Sequence, residues 1–286
     1  MDKTESYSER IITTLANVEF IGTPPELSMK LFQRIKDKDV SIKEISSLIL
    51  QNPPLCVSLL KAANSAYYNA RGVPIETVSR AIIKLGLKMI AHYVFAFEVL
   101  GTFQAKNFRT DFDITTFWKN SFARGLLSLN IAGTFKSVNP EGAFLSGLLS
   151  NVGILVIRQY FPDIFMKICA LAKNEKVSFT SACTMVCCLD HRYVAYLLAL
   201  KWNLPSNILS MFHVPSDETV SDENAVITRD IVQYSAFVLF ENQLYAWDAY
   251  QEAPGEKREF SKFPTFTADS IAEISKCVDE LITFQV

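Results

Sequence analysis

Side chains able to do chemistry are few in this chain: three histidines and six cysteines. His92 sits in Ile90-Ala91-His92-Tyr93-Val94 and reads as a packed core histidine. His191 is placed to cap or start a helix and bond a backbone carbonyl, and His213 reads as a surface residue after an apolar turn. The cysteines (Cys56, Cys169, Cys183, Cys187, Cys188, Cys277) lack the paired spacing of a zinc site or a disulfide framework, and read as small buried hydrophobes in a reducing compartment. Cys183, Cys187 and His191 recur every four residues. On one straight helix the outer two would stand about 12 Å apart, too far to share an ion with bonds of about 2.0–2.3 Å. A Cys187–His191 nucleophile pair would share a helix face. No oxyanion-hole motif accompanies it, and the adjacent Asp190 would point elsewhere.

Other chemistries find little support. There is no Gly-x-x-x-x-Gly-Lys loop, no Gly-x-Gly-x-x-Gly turn and no serine nucleophile elbow. A net charge of −2 and a pI near 6.0 argue against a dedicated nucleic-acid binder. The polar, mixed-charge start is unlike a secretory signal, and the expected location is cytoplasmic. Arg80, Lys84 and Lys88 are explained by a solvated helix face.

Any site must be positioned by helices. The stretch Phe144–Ile157 carries no charge, and Asn139-Pro140-Glu141 before it is a helix start with a cap, a proline at N1 and an acid in the first turn. The uncharged run Gly142–Ile157 is too short and too interrupted by Gly, Ser and Asn to span a bilayer. It predicts one helix buried nearly all round, approached closely at Ser146, Gly147, Ser150 and Gly153. Before it, a helix over 4–18 should turn Ile11, Ile12 and Leu15 inward. Thr23 or Pro24 should cap a helix carrying Leu27, Leu31, Phe32 and Ile35. Capping-box spacing at Ser41–Glu44 and the Asn52-Pro53-Pro54 break open two more. Gly86 should end a short helix, and Asp113 should start one that stops at Gly133. After it, helices are expected over Ile164–Ala172, Ala182–Cys187, Asp190–Trp202 and Ala225–Leu244. A final amphipathic helix is capped at Thr267 and carries Ile271, Ile274, Val278, Leu281 and Ile282. Residues 245–266 read as an irregular, aromatic-rich loop. No strand alternation or internal repeat stands out, so the expected class is all-α.

Several stretches resemble known families. Gly147-Leu148-Leu149-Ser150-Asn151-Val152-Gly153-Ile154 resembles the Gly-Leu-Leu-His-Asp-[small]-Gly-Lys segment of the HD superfamily of metal-dependent phosphohydrolases. Ser150 and Asn151 stand where that family places the His-Asp pair on its metal. Leu55-x3-Leu59-Leu60-Lys61-Ala62-Ala63-Asn64-Ser65-Ala66-Tyr67-Tyr68, then Ala81-Ile82-x2-Leu85-Gly86, is similar to the HDOD (HD-related output domain) family. So is Asp190-His191-x4-Tyr196-Leu197-Leu198-x3-Trp202-Asn203-Leu204-Pro205. HDOD proteins are bacterial relatives of the HD fold, usually without its metal-binding residues. Their Leu-Pro-x-Leu-Pro-Glu motif survives here as Ile21-Gly22-Thr23-Pro24-Pro25-Glu26.

The resemblance implies a multi-helical HD-like bundle over 15–215, with a C-terminal helical extension over 216–286 packed on it. Carried over by position, the vestigial metal site comprises Asn120, Ser150, Asn151, His191 and His213, with the final acid replaced near Ser235 or Ala236. A hydroxyl and carboxamides are poor substitutes for imidazole and carboxylate, and a catalytic metal takes about three protein ligands plus an open position. The resemblance therefore implies no cofactor and a non-catalytic signalling module. It would bind another protein in a two-component or cyclic-di-GMP pathway, with no nucleic acid or membrane involved. Asn64, Ser65, Tyr67, Tyr68 and Arg71 form one expected partner surface, although Asn and Ser at a helix end also satisfy terminal carbonyls; the 245–266 loop forms another. Two alternatives stand beside this reading. One is a divergent phosphohydrolase using His191, His213 and acids recruited from elsewhere, and the other is a small-ligand sensor using the vestigial pocket.

Overall fold

The computed structural model of the chain describes residues 6–17, 25–70, 72–103, 112–203, 209, 223–245 and 260–282. The described residues contain helices and no strands. Backbone contacts divide the chain into two compact units that interleave along the sequence. One comprises Met1–Ile21 with Ala105–Thr265, and the other Gly22–Gln104 with Phe266–Val286. Neither unit ends at 215/216, and the segment 216–286 is divided between them.

In the first unit, α1 (Tyr7–Asn17) opens with reciprocal bonds between Ser6 and Glu9, a capping box. It buries Ile11 and Leu15 on α11 (Phe179–Cys187) and α12 (His191–Lys201). Ile12, expected inward, is 40% exposed: it follows Ile11 by 100° of helix, off the buried stripe. Eleven residues are fewer than an isolated helix needs in water, so α1 owes its helicity to this seat.

The centre of the unit is α7 (Ile114–Ala132), α8 (Pro140–Leu149) and α9 (Val152–Tyr160). Asp113 accepts the Thr116 N–H at the start of α7, and Gly133 ends it. Two glycines let the helices meet. A Cβ at Gly147 would lie 2.8 Å from the Arg124 carbonyl oxygen, and one at Gly125 would lie 3.0 Å from the Phe144 ring and its carbonyl oxygen. Gly153 does the same for α9 against α12, where a Cβ would fall 1.8 Å from the His191 carbonyl oxygen. The expected single helix through 140–157 is broken at Ser150-Asn151. The Ser150 hydroxyl donates to the Gly147 carbonyl (2.8 Å) and competes with the backbone ladder. Together Pro140–Tyr160 are long and apolar enough to cross a membrane by length and composition, but 83% of that window is buried inside the fold. α10 (Pro162–Glu175) follows, and α13 (Glu223–Glu241) packs on α7 and α8, where Ser235 bonds Ser128 (3.0 Å). Tyr234, Phe260 and Phe263 stack beside α13, with the Tyr234 hydroxyl donating to the Pro264 carbonyl.

The second unit contains α2 (Glu26–Arg34), α3 (Ile42–Ile49), α4 (Pro53–Asn64), α5 (Val78–Leu85), α6 (Leu87–Thr102) and α14 (Ala268–Ile282). Ser41, Asn52, Thr77 and Thr267 each cap a helix through a side-chain oxygen. Gly86 joins α5 to α6 at φ +85°, a conformation that only glycine adopts without strain. The α2 start differs from expectation: Pro25 occupies the N-cap position, and the cap comes from α6. Both oxygens of the Glu98 carboxylate accept backbone N–H bonds there, from Leu27 (3.1 Å) and Ser28 (2.8 Å). Thr23 and Pro24 lie outside the described residues. α14 packs on α4 with Ile271, Ile274, Val278, Leu281 and Ile282 all buried, as its spacing predicts.

Candidate functional site

The predicted vestigial site is centred on a residue that the sequence reading did not assign. Arg124 lies one turn after Asn120 on α7, and both side chains are buried. Its Nη1 donates to Ser150 Oγ (3.0 Å) and Asn151 Oδ1 (3.2 Å), and its Nη2 reaches Asn120 Oδ1 at 3.4 Å. The break between α8 and α9 presents Ser150 and Asn151 at this point, and the small residues at 125 and 147 let α7 approach it. Asn120 Nδ2 in turn donates to the Tyr245 carbonyl (3.3 Å). One guanidinium thus gathers three of the five predicted positions.

This arrangement fixes what the site can do. A guanidinium is a permanent cation with donors only, so it can neither ligate a metal nor accept a proton. It also opposes a second cation: at about 4 Å and an effective dielectric near 20, a dication and a unit charge repel by about 8 kcal/mol. The side chains at the site therefore do not fit a divalent metal. Among the described residues, no three or more His, Cys, Asp or Glu are grouped to hold one. The signal for Arg124 was available in the sequence, as a lone charge within Phe122-Ala123-Arg124-Gly125-Leu126.

His191 is held differently. It starts α12, whose N-cap is Asp190, and it is buried. Its Nε2 lies 3.0 Å from Thr180 Oγ1, and its ring meets Phe179 edge-on at 6.0 Å. Burial would raise the Asp190 carboxyl, but the neighbouring His191 and the Arg192 guanidinium outweigh it and hold the group below the usual carboxylate range. His213 lies outside the described residues.

The suggested Cys187–His191 pair does not share a helix. Cys187 ends α11, Cys188 turns at φ 55°, and α12 leaves at 78° to α11. Its partner Cys183 donates to the Leu189 carbonyl (3.4 Å). The hydrogen bond with Cys187, together with burial, keeps the Cys183 thiol protonated.

The second predicted region, in the other unit, is organised internally. Asn64 bonds the Ile75 backbone in both directions, accepting its N–H and donating to its carbonyl (2.8 Å each), and donates also to Leu60. It closes the loop that follows α4. Ser65 is buried and donates to the Ala62 carbonyl. The Tyr68 hydroxyl accepts a hydrogen bond from the Tyr93 hydroxyl (3.2 Å), and burial raises both phenols above their ordinary range. Tyr67 packs edge-on against Tyr68 at 4.6 Å. Burial also pushes the nearby Cys277 thiol up to about 11. Arg71 and residues 246–259 of the aromatic loop lie outside the described residues.

The profile of the HDOD domain matches residues 21–216, most of the chain. The chain belongs to the HDOD family. An uncharacterized protein of Treponema pallidum (strain Nichols) is 24% identical over 208 residues; the match covers 72% of this HDOD chain, which spans only 40% of that protein's length. Among solved structures, an HDOD domain protein of unknown function from Geobacter sulfurreducens aligns at 22% identity with a TM-score of 0.68, covering 96% of this chain and 89% of that one. A candidate phosphohydrolase from Shewanella amazonensis aligns at 19% identity with the same TM-score, over 96% of this chain and 98% of its own. At these identities the two structures establish the HDOD fold and nothing finer.

Proposed function

We propose that this HDOD protein is a non-catalytic module of a bacterial regulatory pathway, and that it acts by binding another protein. The observation that carries the reading is the Arg124 guanidinium, hydrogen-bonded to Ser150, Asn151 and Asn120 where a hydrolytic relative would hold its metal. A fixed positive charge in that position supplies structural cohesion between α7 and the α8–α9 break, and it offers phosphate hydrolysis neither a Lewis acid nor a base. Recognition then falls to surfaces, where apolar and aromatic anchors dominate affinity. Family resemblance supports a two-component or cyclic-di-GMP pathway as the partner's setting.

The test uses protein purified without chelator. Metal content by plasma mass spectrometry should stay below a tenth of an equivalent. Hydrolysis of bis(p-nitrophenyl) phosphate with added Mn2+, Fe2+ or Zn2+ should not exceed that of an Arg124→Met control. Stoichiometric metal with turnover would overturn the reading in favour of a divergent phosphohydrolase.

A further inference from the structure

The first helix is held by a seat that reads helix chemistry at both ends. At the N-terminal end of α1, Lys167 of α10 contacts the Tyr7 hydroxyl and lies 4.6 Å from its ring centroid. One turn on, Arg10 makes a two-pronged bond to the Asp163 carboxylate (2.6 and 3.0 Å). Ile11 and Leu15, four residues apart, supply the buried stripe on α11 and α12. At the C-terminal end, Lys201 of α12 donates to the Leu15 and Ala16 carbonyls (2.9 and 3.1 Å), neutralising the negative end of the helix. An acid, two lysines and an apolar floor thus set the direction and register of one amphipathic helix. The polar clasp is solvent-accessible, with Arg10 and Asp163 side chains 40% and 49% exposed. The helix also lies outside residues 21–216, the span matched to the family.

We infer that the α10–α12 seat is a helix-binding groove that α1 occupies reversibly, and that its partner in trans is a short amphipathic helix with the same chemistry. That helix carries an aromatic residue, a basic residue three positions later, and apolar residues at the next position and four beyond it. The inference deepens the proposed protein-binding role and rests on it. A tethered α1 competes at high effective concentration, so a free helix enters when α1 is weakened or outnumbered.

The experiment uses the full chain and a fluorescein-labelled peptide of residues 5–18, read by anisotropy. Ile11→Asp with Leu15→Asp weakens α1 and leaves the seat untouched. This variant should melt as the parent does and bind the peptide at least tenfold more tightly than the parent. Adding Asp163→Arg should remove that gain, and a peptide carrying Arg10→Asp should recover part of it. In the parent chain, hydrogen exchange should be at least tenfold faster in α1 than in α12. Unfolding of the double variant, unchanged peptide binding, or equal protection of α1 and α12 would each overturn the inference. A metal-dependent turnover result would overturn the proposed function and leave these binding outcomes intact, so the two failures are distinguishable.

Discussion

Arg124 donates to three side chains, Asn120 on its own helix and Ser150 and Asn151 at the α8–α9 break, so its removal strands acceptors that water cannot easily reach. Arg124→Met keeps the apolar stem and loses the donors, and the expected cost is about 1–3 kcal/mol, read from urea unfolding midpoints. His92 makes a second prediction. Burial depresses its imidazole from 6.5 to about 4, against a hydrogen bond with the Lys88 backbone that favours the protonated ring and with a smaller push down from the Lys88 charge. Between those values the unfolded chain binds a proton that the folded chain excludes, so stability falls as pH drops from 6.5 towards 4 and levels off below. The effect is on the order of 3 kcal/mol, and His92→Phe should flatten the slope between urea titrations at pH 7 and pH 5. A core role for His92 was readable from its apolar neighbours, and the lone charge in its apolar run marked Arg124, but the side chains that Arg124 gathers were not readable. Positional transfer names the residues that replace ligands and is silent about a charge entering from the next helical turn.

At the scale of elements, local chemistry announced the helix starts where the cap is local. Ser41, Asn52, Asp113 and Thr267 act within three residues of themselves. The start of α2 shows where that logic ends, because Glu98 caps it from 70 residues away in sequence. Glu98→Gln leaves one oxygen for two N–H groups and should cost about 1–2 kcal/mol. Hydrogen exchange should report it as a loss of roughly 5–30-fold in α2 protection, with α4 little changed. The break at Ser150-Asn151 was hidden for a related reason. An apolar stripe looks continuous when a single hydroxyl turns back onto its own backbone, and only the packed neighbours show which way the chain resumes.

At the scale of the whole molecule, periodicity identified helices but could not allot them to compact units, because allotment depends on contacts between residues far apart in sequence. The boundary expected at 215/216 follows the family match, which ends at 216, while α13 packs on α7 and α8 and α14 packs on α4. A chain ended at residue 216 should therefore lack a cooperative thermal transition and show poorly dispersed amide resonances. A sharp melt would mean that both later helices are accessory. The interleaving also has a consequence for biosynthesis. Residues 25–103 leave the ribosome long before Ala268–Ile282, and at about 5–20 residues per second the interval is roughly ten to thirty seconds. During that interval α4 displays a bare oily side, a vulnerable period in which a nascent-chain chaperone would find its client.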